Sequence, residues 1–480
     1  MIENKLRILS EKQLQSFHAN TLQVFEEIGL EVMDKNARSM WMEWGARIDP
    51  NTQRVLIPNH LVEKALKSAK SKIDCGARSN DNCFTIGDGT VYGRNGGGPG
   101  QLTDTTTGNL REASGEDCAD YTRLVDSLEN IQIAAPLYEQ ESNPETRDLN
   151  TLYRMFKSTS KHINIRLLNP DSLPYFIRMA EAVAGGAEQL KKSPVITMLE
   201  SPIAPLKHPE VLTNTILACG KAGIPLEICS MPIAGATGPV TLAGSLLMSN
   251  VEMLGAVVFG QLANPGAPMI FAPRIMVMDL ASGYALTGSV ENAILVTAGT
   301  QLAKEYYKMP VNMHGPYTDA MISDCQAGVE NTYFSLMPAF AGADILTGAG
   351  HLQGGLIVNF AQLMIDNDIM GMVNRAFKGM AVNEEMMAFD AVCDSIKDDN
   401  LLMHPHTLRH MRDKMNRPAL ITRESRENWA SKGSLSMWER AKVKVADILK
   451  DYVPQALEPD LDDELKNILA MAEKDLTGEK

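Results

Sequence analysis

The sequence predicts an α/β chain: a closed (β/α)8 TIM barrel with an N-terminal α+β extension and a C-terminal helical tail. Three observations carry this. Seven short apolar strand candidates recur between residues 129 and 400, most of them followed by a helical stretch. No hairpin turn separates them, and parallel strands need crossovers of that length. A doubly wound open sheet, the rival, normally carries G-x-G-x-x-G after an early strand, and none stands there. The 480 residues allow one large barrel with extensions.

Residues 1–128 read as the extension. Ser10, followed by Glu11 and Lys12, can cap a helix whose apolar residues recur as Leu14, Phe17, Leu22, Val24, Phe25 and Ile28 before Gly29 closes it. A second helix holds Ala37, Met40, Trp41 and Trp44 and ends at Gly45, and Pro58 opens a third. Residues 72–112 change to short β segments broken by Gly, Asn and Asp. Residues 129–400 read as the barrel, with strand candidates at 131–140, 162–169, 194–201, 224–233, 268–277, 310–317 and 343–351. Residues 401–480 read as helical, with a face of Leu408, Met411, Met415, Trp429, Trp438, Ala441, Val445, Ile448 and Leu449, and with 464–480 as a solvated end.

Composition narrows the function. With 45 Lys+Arg against 59 Asp+Glu the net charge is -14, which disfavours nucleic acid and anionic membranes as partners. Seven scattered cysteines without a CxxC pair fit a reducing compartment, and the first residues lack an apolar signal core, so a cytoplasmic location is expected. No run of about 18 uninterrupted apolar residues stands in the chain. The 28 methionines fit a core of adaptable side chains. All four tryptophans lie near the two ends, so the middle of the chain binds nothing with a Trp of its own.

In a barrel, chemistry sits where strands end at the C-terminal mouth. The strand ends offer Tyr138 and Glu139, Arg166, Glu200, Met231, Arg274, His314 and Tyr317, and His351. Two carboxylates and two arginines there suit a ligand with both signs of charge; equally, Arg166 with Glu139 and Arg274 with Glu200 read as structural ion pairs. No metal is expected: His404, His406 and His410 give H-x-H-x3-H, but without an acidic or thiolate partner nearby in sequence. The cluster Gly93–Gly100 lacks the Lys-Ser/Thr ending of a phosphate loop and reads as turn or lid chemistry. No G-x-S-x-G elbow and no Cys with an activating base appear, so no side-chain nucleophile is expected.

The stretches QLQSFHANTLQVFEEIGLEVMDKNARSMWMEWGARID, DTTTGNLREASGEDCADYTRLVDSLENI, GPVTLAG with its downstream QLANPGAP, and HTLRHMRDKMNRPALITRESRENWASKG resemble the trimethylamine methyltransferase superfamily, over nearly the whole chain. That resemblance implies a barrel enzyme moving a methyl group from an amine to the cobalt of a corrinoid on a separate protein. It implies no tightly bound cofactor of its own, a corrinoid-binding protein as partner, and a homo-oligomer. The name-giving members carry pyrrolysine and act on a neutral amine. Here the sixth strand candidate reads PVNMHGPYTDAMISDC, with ordinary residues throughout, so the chain resembles the non-pyrrolysine branch, which demethylates betaines such as glycine betaine, proline betaine, carnitine or γ-butyrobetaine. A quaternary nitrogen leaves as a neutral tertiary amine, so orientation and an electrostatically suitable pocket suffice. The resemblance then points to a cage of Tyr92, Tyr138, Tyr317 and Phe360 helped by Glu139 and Glu200. Arg94, Arg166, Arg274, His314 and His351 are left as candidates for a carboxylate. Asn312-Met313-His314 offers no arginine where glycine-betaine members are expected to carry one, which favours a bulkier betaine. The alternatives are a non-catalytic betaine-binding barrel and a lyase using Glu200 and His351 as acid and base.

Overall fold

The computed structural model describes residues 5–105, 107–397, 400–412 and 415–478. One eight-stranded sheet is built from β1 (Tyr92–Asn95), β2 (Ile133–Ala134), β3 (His162–Arg166), β4 (Ile196–Glu200), β5 (Leu226–Ser230), β6 (Met269–Pro273), β7 (Asn312–His314) and β8 (Ile345–Ala349). They pair in parallel in the order β6-β5-β4-β3-β2-β1-β8-β7. The ring closes where Phe271 on β6 meets Val311 beside β7, the Phe271 N–H donating to the Pro310 carbonyl at 3.0 Å. Strands whose outer faces meet helices and whose inner faces turn into the barrel are buried on both sides, which is why most of them read as short runs rich in apolar residues.

β1 corrects the sequence reading. The seven candidates from residue 131 onward are β2 to β8, and the eighth strand comes from Tyr92–Asn95, inside the stretch assigned to the extension. Four residues including a Gly and an Arg, followed by three glycines, have the composition of a turn. Only pairing with β8 and β2 makes a strand of them.

Alternation sets the lumen. Asn164 and Arg166, Leu199 and Ser201, and Cys229 and Met231 turn inward two by two. At the strands' N-terminal ends Tyr92, Ile133, Ile270 and Ile345 form an apolar layer with Ile73, Cys75 and Ile86. The last three belong to an antiparallel hairpin, Ile73–Cys75 with Phe84–Ile86, that plugs the barrel bottom.

The N-terminal helices α1 (Glu11–Glu27), α2 (Lys35–Glu43) and α3 (Asn59–Ser68) match the sequence reading. Ser10 accepts from the Gln13 N–H and Gln13 reaches back, a full capping box. Trp41 on α2 is fully buried, its ring 5.7 Å from Phe259 on the barrel helix Leu242–Ala263. That helix is long and apolar enough to cross a bilayer, but here it is mostly buried among barrel and extension. In the tail, helix Met437–Asp451 packs on Phe360–Phe377, and Pro459–Thr477 packs on Leu173–Ala184. Leu465, Ile468, Leu469 and Ala472 are buried on one stripe, so the docked helix Pro459–Thr477 runs through most of the stretch 464–480 where a solvated end was expected.

Replacing Trp41 by Ala should cost about 3–5 kcal/mol through the cavity it leaves, read as a fall in the urea midpoint. Trp44→Ala, from a half-buried ring, should cost less.

Candidate active site

The upper half of the lumen is a cavity of about 250 Å³ open at the C-terminal mouth. Small-molecule sites run to roughly 300–1,000 Å³, so its ligand is small. Each strand contributes: Arg94, Tyr138 beyond β2, Asn164 and Arg166, Ser201, Cys229, Arg274, His314, and Thr347 with His351.

Beneath it lies Glu227 on β5, fully buried. Its carboxylate accepts from Arg94 Nη1 at 2.9 Å, Arg274 Nη2 at 2.8 Å, Asn312 Nδ2 at 2.8 Å and Asn164 Nδ2 at 3.1 Å. Burial alone would push this carboxyl up, but Arg94 and Arg274 overcome it and hold it below the usual range. Arg94 Nε donates to Thr347 Oγ1. Two guanidiniums facing one carboxylate leave the floor one positive charge in excess. Arg274 Nη1 is buried and has no hydrogen-bond partner among the described residues.

Rings form the wall. Tyr317 stacks on His314 at 4.1 Å and 22° and meets His351 edge-on at 5.1 Å and 88°. Burial, with Arg94 and Arg274 nearby, pushes His351 down to about 3, and burial with Arg274, His351 and Arg94 lowers His314 well below its ordinary value. Both imidazoles are neutral. His314 Nδ1, both His351 ring nitrogens and Ser201 Oγ are likewise buried without partners among the described residues, so with Arg274 Nη1 five polar atoms are unsatisfied around one small space. Glycines let the wall close. A Cβ on Gly96 would lie 2.2 Å from the His351 ring, and one on Gly355 would meet the Tyr317 hydroxyl.

Of the eleven residues named from the sequence, Arg94, Tyr138, Arg166, Arg274, His314, Tyr317 and His351 line this cavity. Four do not. Tyr92 faces inward but sits two residues below Arg94, in the bottom layer, its hydroxyl on Asp88 at 2.8 Å. Glu200 lies between Leu199 and Ser201, both of which line the cavity, so alternation turns it to the other face. Glu139 braces the next loop, accepting from the Glu141 and Ser142 N–H groups at 2.7 and 2.9 Å. Phe360 opens the helix after β8 and stacks on Tyr121 at 5.5 Å in the core. The expected ion pairs also fall: Arg274 binds Glu227 instead of Glu200, and Arg166, exposed at the rim, makes no salt bridge to Glu139.

The whole chain has known relatives. The family described as Trimethylamine methyltransferase (MTTB) matches residues 2–477. The chain belongs to the trimethylamine methyltransferase family. A trimethylamine methyltransferase MttB of Desulfitobacterium hafniense (strain DSM 10664 / DCB-2) is 32% identical over 465 residues, 97% of this chain and 93% of that protein. A glycine betaine methyltransferase of Desulfitobacterium hafniense (strain Y51) is 30% identical over 479 residues, 99% of each. Among solved structures, the Methanosarcina barkeri monomethylamine methyltransferase (MtmB) matches with a TM-score of 0.55 over 94% of this chain and 89% of that one, at 12% identity. That likeness is one of fold.

In this trimethylamine methyltransferase family member the central residue, Glu227, escaped the sequence reading, as did Asn164 and Asn312. Its signal was present: a carboxylate amid Leu226, Ile228 and Cys229 in a strand buried on both faces demands partners.

Glu200 gives a test. Burial raises its carboxyl from 4.5 to about 7, and burial does the same to Asp366 from 3.8. A raised folded-state pKa means stability complete below the ordinary value and lost as pH rises through about 7. The contribution of these two carboxyls to the unfolding free energy should therefore fall from about pH 5 to about pH 7, against the rise that the lowered His162, His208, His314 and His351 contribute below their ordinary 6.5. Glu200→Gln should flatten that slope and be relatively more stable at the alkaline end, as denaturant titrations at each pH would read.

Proposed function

We propose that the chain transfers a methyl group from a small zwitterionic quaternary amine, a betaine, to the cobalt(I) of a corrinoid carried by a separate protein. The observation that carries this reading is the charge order of the cavity: an excess positive floor with unsatisfied donors, and rings above it. A carboxylate seated on Arg274 Nη1 and the neutral histidines would use those donors. The cationic nitrogen is then repelled from the floor and set against Tyr317 and Tyr138, its methyl groups toward the mouth. Trimethylamine, lacking the anionic end, leaves these donors unsatisfied.

The chemistry then needs nothing further from the side chains. The new bond forms between cobalt and the methyl carbon, the C–N bond breaks, and its electron pair stays on nitrogen, giving a neutral tertiary amine with no proton to move. Buried neutral histidines and a Tyr317 hydroxyl pushed up to about 12 suit such a proton-free step. The rim suits a protein partner. Exposed apolar side chains stand on the loops after most strands: Leu168, Ile203, Val240, Leu280 at 71% exposure, Met321, Ile322 and Leu356 at 64%. The relative from Desulfitobacterium hafniense (strain Y51), a glycine betaine methyltransferase, adds support.

The test is methylation of cob(I)alamin with a panel of betaines, choline and trimethylamine. Carboxylated quaternary amines should turn over, choline weakly and trimethylamine not at all. Equal turnover of trimethylamine overturns the reading. Arg274→Lys keeps the charge beside Glu227 but removes Nη1, so KM should rise about 10- to 150-fold, the worth of one charge-assisted hydrogen bond, with kcat little changed.

A further inference from the structure

The run His404-Pro405-His406 with His410 looked, by sequence, to lack an acidic partner. The fold supplies one. The short helix Glu384–Met387 brings Glu385 against the helix Pro405–His410, where His406 and His410 stand one turn apart. The His410 Nε2 to Glu385 Oε1 distance is 3.0 Å, and the His406 and His410 rings lie 4.5 Å apart. One ligand atom from each of the three residues lies within 4.8 Å of the others. His404 steadies the turn, its Nδ1 accepting from the His406 N–H at 3.1 Å while Nε2 faces Asp394 at 3.6 Å. Arg409 reaches the same Glu385 oxygen at 3.2 Å, which leaves the second oxygen of that carboxylate for another ligand.

We infer that Glu385, His406 and His410 form a binding site for a divalent transition-metal ion of the zinc type. Two imidazoles and a carboxylate are a donor set that zinc accepts, with water as fourth ligand. Zinc–nitrogen bonds of about 2.0–2.1 Å put neighbouring donors roughly 3.3 Å apart, so the ion would draw the three ligand atoms inward, with His406 either giving up the 3.0 Å contact of its Nε2 with the Glu385 carbonyl or binding through Nδ1. The carboxylate is half-exposed, giving the ion and its water a way in. None of the three lines the barrel cavity, so the ion would act on the fold of the segment after the last barrel helix. It would tie residues 384–387 to 405–410 and close the stretch between them, which displays Phe389, Val392 and Leu402 to solvent.

Untagged full-length protein, dialysed against zinc and assayed for bound metal, should hold one ion per chain. Cobalt(II) in its place should give the visible bands of a low-symmetry, four-coordinate site. Glu385→Gln, His406→Ala and His410→Ala, all at exposed or half-exposed positions, should each weaken uptake by at least about tenfold. Zinc should also slow proteolysis between residues 388 and 404 in the wild type and not in the variants. No uptake beyond that of the triple variant, or uptake surviving any single change, overturns the site. Binding without protection overturns the tie between the two helices.

Discussion

The Glu227 carboxylate, itself without exposed surface, takes four hydrogen bonds, from the buried Arg94, Arg274, Asn164 and Asn312. Those donors come from β1, β3, β7 and the end of β6, so one anion on β5 draws five of the eight strands toward a common point. Desolvating such a cluster is costly, and it persists only because each charge finds several partners. Removing the carboxylate would leave two guanidiniums facing each other in low dielectric, a loss of about 3–5 kcal/mol for broken buried pairs. The arrangement of the cavity above rests on this constraint. Arg274 is held with one nitrogen on Glu227 while its Nη1 has no partner among the described residues, and burial, with the same two guanidiniums, holds His314 and His351 below their ordinary value.

Such a site is built for placing a reactant. Its imidazoles are too depressed to donate a proton near neutrality, Tyr317 is too elevated to yield one, and burial raises the Cys229 thiol above its ordinary value. What remains is shape, a fixed excess of positive charge and ring faces. On the proposed reading these orient a methyl donor whose own permanent charge supplies the leaving group, so the protein's contribution is orientation and electrostatics.

Much of this was legible in the residues. The barrel was visible because seven of its strands are apolar runs separated by helical stretches, and the capping of α1 stood plainly in Ser10. Cavity residues after strand ends, such as Tyr138, Arg274 and His351, followed from the rule that barrels work at one mouth. What escaped depends on contacts distant in sequence or on parity. β1 is a strand only because β8 and β2 flank it. Glu200 missed the lumen by one residue, since adjacent strand positions face opposite ways. Glu227 sits inside its strand Leu226–Ser230 and not at the strand end where barrel chemistry is read. The final helix read as solvated because its charges outnumber its apolar stripe, and only the docked partner helix reveals that stripe.

The hairpin of Ile73–Cys75 and Phe84–Ile86, with the isoleucine layer above it, has a kinetic corollary. With the base stoppered among the described residues, traffic in both directions shares the opposite mouth. If a second protein seats itself over that mouth to collect the methyl group, the spent amine is shut in until that protein lifts away. Turnover would then be ordered by architecture: donor first in, acceptor second in, acceptor first out and amine last.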